Sequence, residues 1–322
     1  MHRVVALLGL LLAFPLAAQP DLTRRIGSTV ADTGVTGWRF EQFRVGSRDG
    51  LRRYRVRLAL PDAPAPAAGF PAVYLLDGNA ALMEIDAALL ATLSKAMPPP
   101  VLVFVGYDND LRIDAEARAY DYTPQRPGGE EAQRDVPGGR RNGGADAFLD
   151  LLETVIVPKA ESIVRLDPRR RTLWGHSYGG VFALHALFAR PRTFAGYAAA
   201  DPSLWWGDGQ LLKEEDAVAS WPSPPPRLWL WVGEGGERAP ASAPPSSTRD
   251  PAAVEAMRRA RGSVPPDAAR RMAERLRRSG LDVRLETLSG QSHGQTLGSS
   301  LHRLLRALVE PPAPQASAQE QR

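Results

Sequence analysis

Short apolar runs with no internal alternation recur along the chain at 72–76, 101–105, 172–174, 196–200 and 228–232, and Val283, Leu285 and Thr287 mark one more. A strand that is apolar on successive residues is buried on both faces, the condition met in a parallel sheet covered on both sides. Helix-period stretches fall between these runs, at 81–95, 145–164, 180–190, 266–279 and 296–309. Upstream the pattern changes. Phe43 and Val45 alternate with polar residues, a turn follows at 46–50, and Tyr54, Val56, Leu58 and Leu60 alternate with Arg55, Arg57 and Ala59. Period-two alternation on both sides of a glycine-bearing turn predicts an antiparallel hairpin with one wet face. Strand–helix alternation after such a hairpin predicts an α/β chain. Its central sheet is mostly parallel, with helices on both faces and the N-terminal hairpin as an antiparallel edge.

The 322 residues are 43% hydrophobic and 24% charged, a balance that supports a packed core. Residues 20–310 read as a single domain. Before it, the basic Met1-His2-Arg3, the apolar stretch 4–16 and Ala17-Ala18-Gln19 predict a cleaved signal peptide over 1–19. The apolar stretch is shorter than the about 20 residues that span a bilayer. A periplasmic or secreted location is the expectation. After the domain, 311–322 predicts a disordered tail. Segments 124–144 and 239–250, rich in Gly or Pro, read as loops at strand ends, where sites in such folds are built. With no cysteine in the chain, disulfides, thiolate catalysis and cysteine-ligated metals are excluded. No His-x-x-x-His or similar spacing suggests a metal site, and no cofactor is expected. The net charge of +4 comes from scattered arginines, with no basic run of the kind that binds nucleic acid. A small molecule is the expected partner.

The most informative segment is Gly175-His176-Ser177-Tyr178-Gly179, a G-x-S-x-G with an apolar strand before it and a helical pattern after it. That context is what the nucleophile elbow of a serine hydrolase requires. The serine sits on a tight strand-to-helix turn, and glycines beside it let neighbouring backbone approach. Ser177 is the expected nucleophile. A Gly-rich turn that merely binds an anion is the alternative. A serine hydroxyl needs a base, and the histidines leave one candidate. His2 departs with the signal, His176 adjoins the nucleophile and should point away, and His185 and His302 fall within helices. His293 lies in a loop after the last strand, where the chain order serine, acid, histidine puts the base.

The acid is expected just after the run 228–232. Glu237 is favoured, Glu234 is the second candidate, and a Ser177–His293 dyad without an acid is the third outcome. An oxyanion hole needs two backbone N–H groups aimed at the developing charge. Tyr178, directly after the nucleophile, supplies one. Asn79, in the turn Asp77-Gly78-Asn79 after an early strand, supplies the other. Trp205 and Trp206 are candidates for the pocket wall, with core packing as the alternative. Arg118 is a candidate contact for an anionic substrate, with a structural salt bridge, such as one to Asp121, as the alternative.

These pieces carry a resemblance. Tyr74-Leu75-Leu76-Asp77-Gly78-Asn79, Arg118 to Pro124, Gly143 to Phe148, Gly175 to Gly180, Pro202 to Trp206 and Ser292-His293-Gly294 resemble the siderophore trilactone esterase branch of the α/β-hydrolases. That branch holds the enterobactin, salmochelin and bacillibactin hydrolases. The chain is similar, more distantly, to esterase D-like, feruloyl-esterase and mycolyltransferase proteins. The resemblance implies the α/β-hydrolase fold and cleavage of an ester or lactone through an acyl-serine, without metal or organic cofactor. It carries serine and histidine to Ser177 and His293. Some periplasmic members of the branch are Ser–His dyads. A general carboxylesterase acting on cell-wall or plant-derived esters is the rival expectation, and a non-catalytic exported binding protein is the rival of another class.

Overall fold

In the computed structural model the described residues are 21, 23–134, 139–235 and 251–309. The expected signal peptide and tail, the loop 239–250 and Glu237 lie outside them. Eight strands form one sheet: β1 (Trp38–Gly46), β2 (Arg53–Pro61), β3 (Phe70–Leu75), β4 (Val101–Tyr107), β5 (Leu166–His176), β6 (Gly196–Ala200), β7 (Arg227–Glu234) and β8 (Asp282–Ser289). Their order is β1-β2-β4-β3-β5-β6-β7-β8. β1 pairs with β2, and β2 with β4, antiparallel; every other pairing is parallel.

The apolar runs are explained by two cores, one on each face. Successive residues of a strand point to opposite sides. Leu173 and Tyr197 therefore join one core, while Trp174 and Ala198 join the other. The first core is closed by Phe148, Leu149, Phe182, Leu184, Met272 and Leu276 from helices Ala145–Leu151, Tyr178–Ala189 and Ala268–Arg278. The second is closed by Leu82, Leu90, Leu93, Leu301, Leu304 and Leu305 from Gly78–Met83, Ala87–Leu93 and Thr296–Val309. Tyr54, Val56 and Leu58 are buried as the alternation predicts, but the opposite face of β2 is wet only at its start: Arg53 is exposed, Arg55 and Arg57 are half-buried, and Ala59 is fully buried in the second core. Among the described residues no helix is long and apolar enough to cross a membrane.

The helical stretch expected at 81–95 is two helices. Asp86 breaks it by acting as the N-cap of the second, its carboxylate accepting from Leu89 N–H at 2.7 Å. Short helices Ala115–Asp121 and Gln210–Asp216, absent from the sequence reading, fill the connections after β4 and β6. With β3, β5, β6, β7 and β8 all parallel, their C-terminal ends open on one rim of the sheet. The turns that leave those ends carry Asp77, Ser177, Asp201 and His293.

Candidate active site

Ser177 sits between β5 and helix Tyr178–Ala189 with φ +60° and ψ −115°. A non-glycine residue with positive φ stores local strain, and the surroundings hold it there. Ser177 N–H donates to Ala200 O at 2.9 Å, and Ser177 O accepts from Val181 N–H at 3.0 Å. A Cβ at Gly175 would lie 2.1 Å from Gly179 O, so residue 175 must be glycine for the helix to turn back over β5. Gly179 itself meets only ordinary contacts. The second tight position is Gly180, where a Cβ would come within 3.1 Å of Pro202.

Ser177 Oγ lies 3.0 Å from His293 Nε2. On the far side of the ring, His293 Nδ1 lies 2.8 Å from Asp201 Oδ2. A carboxylate only accepts, so Nδ1 carries the proton and Nε2 is left with its lone pair facing the serine. Asp201 follows the last residue of β6. Its N–H donates to Trp231 O at 2.8 Å, and its Oδ1 accepts from Gly233 N–H at 3.4 Å. The acid facing His293 is thus one strand earlier than expected. Glu237 is outside the described residues, and Glu234 ends β7 with its side chain exposed. The expected acid turn has another use. Gly235 N–H donates to Gln291 O at 2.8 Å, and a Cβ at Gly233 or Gly235 would strike the backbone of Gln291. Those glycines let the histidine loop lie directly on the end of β7.

His176 does not point away from the site. Its ring lies 4.7 Å from that of His293, centroid to centroid, and its Nε2 is 2.8 Å from His293 O. Thr296 Oγ1 donates to the same carbonyl at 2.7 Å. Burial, with His293 close by, pushes the His176 imidazole well below the usual range, so it is neutral and serves as a brace for the loop.

Arg118 is not on the rim. It is buried, and its guanidinium grips Asp77 in a fork, Nε to Oδ1 and an Nη to Oδ2, both at 2.9 Å. The same group donates to His176 O at 3.1 Å. Burial alone would lower its pKa, but Asp77 holds it above the ordinary value. The partner is Asp77 rather than Asp121, which pairs with Arg52 and accepts from the hydroxyls of Tyr54 and Tyr107. Arg118 fastens the turn after β3 to the elbow after β5. Asn79 lies in that turn, second residue of helix Gly78–Met83, with its side chain tied to Arg57, Asn109 O and Leu111 O. Gly78 is required there, since a Cβ would come within 2.7 Å of the β4 backbone. Trp206 is buried in the core, with the Arg126 guanidinium 5.7 Å from its ring, so core packing describes it and pocket lining does not. Trp205 is half-buried, its ring 6.3 Å from that of Tyr178 beside the nucleophile.

Comparisons with known proteins assign the chain to a family. The family described as "Putative esterase" matches residues 49–261. The chain belongs to this esterase family. It is 44% identical over 204 residues to the apo-salmochelin esterase of Escherichia coli O6:H1, a match covering 62% of each chain. It is 28% identical over 291 residues to the ferri-bacillibactin esterase BesA of Bacillus subtilis, covering 85% of this chain and 90% of that one. Among solved structures, the enterobactin hydrolase IroE in complex with DFP superposes with a TM-score of 0.68 at 32% identity, covering 88% of this chain and 99% of that one. The sheet and its helices are those of the IroE-like α/β-hydrolases.

Proposed function

We propose that this chain is a serine carboxylic-ester hydrolase that cleaves esters or lactones through an acyl-Ser177 intermediate. The observation that carries the reading is the hydrogen-bonded line Ser177 Oγ, His293 Nε2, His293 Nδ1, Asp201 Oδ2. In acylation, Ser177 Oγ attacks the substrate carbonyl and its proton passes to His293 Nε2. Asp201 keeps the ring in the required tautomer and stabilises the imidazolium. The tetrahedral oxyanion is bound by the N–H groups of Tyr178 and Asn79, both in first helical turns where no intrahelical acceptor exists. The two turns adjoin: Leu76 N–H donates to Trp174 O at 3.0 Å, and a Cβ at Gly179 would lie 3.6 Å from Asp77 Oδ2. The imidazolium then protonates the departing alcohol. Water, activated by the same histidine, releases the acid. Trp205 is the proposed wall for the acyl group.

The substrate class that best fits is the siderophore lactone or ester. The support is the similarity to proteins named as salmochelin, bacillibactin and enterobactin esterases. The signal-like pattern of residues 1–19 supports a location outside the cytoplasm, which cell fractionation with the full-length gene product tests. For the chemistry, the purified protein should hydrolyse a chromogenic short-chain ester and a catecholate trilactone. Ser177→Ala should reduce both by a factor of about 10⁶, since members of such a unit fail together. A fully active Ser177→Ala variant sinks the proposal. Turnover of simple esters without any of the trilactone would favour a general carboxylesterase.

A further inference from the structure

We propose that Ser203 is a catalytic residue that donates a hydrogen bond to Ser177 Oγ and assists its departure in deacylation; this rests on the esterase reading above. Ser203 Oγ lies 3.2 Å from Ser177 Oγ. Proton bookkeeping fixes the direction. His293 Nδ1–H is given to Asp201, so Nε2 is an acceptor and takes the single hydroxyl proton of Ser177. Between the two serines the donor is therefore Ser203. Ser203 is a buried residue, 3% exposed, and Ser177 Oγ is the one side-chain partner of its hydroxyl among the described residues. The backbone fixes its aim. Ser203 N–H donates to Ser177 O at 3.3 Å, Ser203 O accepts from Trp206 N–H at 2.9 Å, and the preceding Pro202 lies against Gly180 of the nucleophile helix.

The chemical consequence differs between the two half-reactions. In acylation Oγ is the attacking atom; a donor on one lone pair eases loss of the proton and draws charge from the nucleophile, two effects that oppose each other. In deacylation water adds to the acyl carbon and gives a proton to His293. The tetrahedral intermediate then breaks its bond to Ser177 Oγ, and the proton on Nε2 goes to that oxygen. Ser203 keeps its own proton throughout. Here Oγ gathers negative charge as a leaving group, so a fixed donor helps without an opposing effect. Hydrogen bonds to charge-bearing atoms are the stronger ones.

Removing the hydroxyl should slow deacylation by about tenfold, the cost of one such bond. With a p-nitrophenyl ester, Ser203→Ala should release one equivalent of nitrophenolate in a burst and then turn over slowly. Both kcat and KM should fall together, with kcat/KM near the wild-type value. Ser203→Thr, which keeps a hydroxyl, should restore turnover, and Ser203→Gly provides a second variant without one if alanine does not fold. Thermal melting checks that each variant is native. A deacylation rate within twofold of wild type in a folded hydroxyl-less variant overturns the proposal. So does an equal loss of kcat and kcat/KM without a burst, the signature of a purely structural role. Failure of the esterase reading would look different: wild-type protein would itself give no acylation.

Discussion

Asp201 Oδ2, 2.8 Å from His293 Nδ1, holds the proton on that nitrogen and leaves Nε2 free to take the serine's. Ser177 and His293 were legible because each is tied to local pattern: a strand–turn–helix motif for one, a loop between the last strand and last helix for the other. The acid has no such motif. The chain order points to the end of β7, whereas Asp201 Oδ2 reaches His293 from the end of β6, the strand that lies between the nucleophile's strand and β7. The available cue was Asp201-Pro202-Ser203 directly after the run 196–200, a position that parallel order puts beside the elbow. For Arg118 the structural salt bridge holds rather than the substrate contact, and its partner is Asp77, 41 positions away in the chain, rather than Asp121. Asp201→Asn should lower kcat by about 10³–10⁴-fold, because an amide can donate to Nδ1 and favour the wrong tautomer. Glu234→Ala should stay within about twofold of wild type. Steady-state kinetics with a chromogenic ester decide between them, and the reverse ranking would return the acid to the end of β7.

At the scale of elements, the strands and long helices were readable because burial on one or two faces imposes a period, while the short helices were not. Gln210–Asp216 has only seven residues, too few for a pattern to emerge, and tertiary contacts hold it. One of these is His185, buried in the nucleophile helix. Its Nδ1 is 2.8 Å from Glu214 Oε2 and its Nε2 3.3 Å from Asp146 Oδ1. It ties helices Tyr178–Ala189, Gln210–Asp216 and Ala145–Leu151 together. Burial works against its charge, but the hydrogen bonds to Asp146 and Glu214 raise its pKa to about 9 from 6.5. A raised folded-state value means the stabilisation is complete below pH 6.5 and is lost as pH climbs through 9. The shift corresponds to about 3 kcal/mol. Thermal midpoints of the wild type should decline between pH 7 and 10 by more than those of His185→Gln, which lacks the titration. Parallel curves for the two proteins would show that the clamp carries no charge-dependent stability.

Over the whole molecule, the arrangement of charge bears on which esters reach Ser177. The chain carries a net +4. Among the described residues, Arg126, Arg134 and Arg141 meet backbone carbonyls or rings and make no ion pair with a carboxylate. Arg126 donates to Ala132 O and Arg134 O and lies over Trp206. Arg134 donates to Gly139 O, and the Arg141 guanidinium is 5.5 Å from the Tyr120 ring. Backbone carbonyls and rings orient these groups but leave their positive charge in place, unlike Arg118, whose charge Asp77 cancels. Arg126 thus lies against the segment that also carries Asp201 and Ser203, and the prediction is that its charge acts on the approach to Ser177. Cations on such an approach attract anionic substrates over distances comparable to the Debye length, about 10 Å at 0.1 M salt. Between low salt and 0.5 M salt, kcat/KM for an ester bearing a negative charge should fall severalfold, while that for a neutral ester of the same acyl group stays level. The double variant Arg126→Ala/Arg141→Ala should lose most of this salt dependence and leave the neutral ester unaffected. Equal salt responses for the two esters in the wild type would mean that these arginines serve the loop's own structure and do not gather substrate.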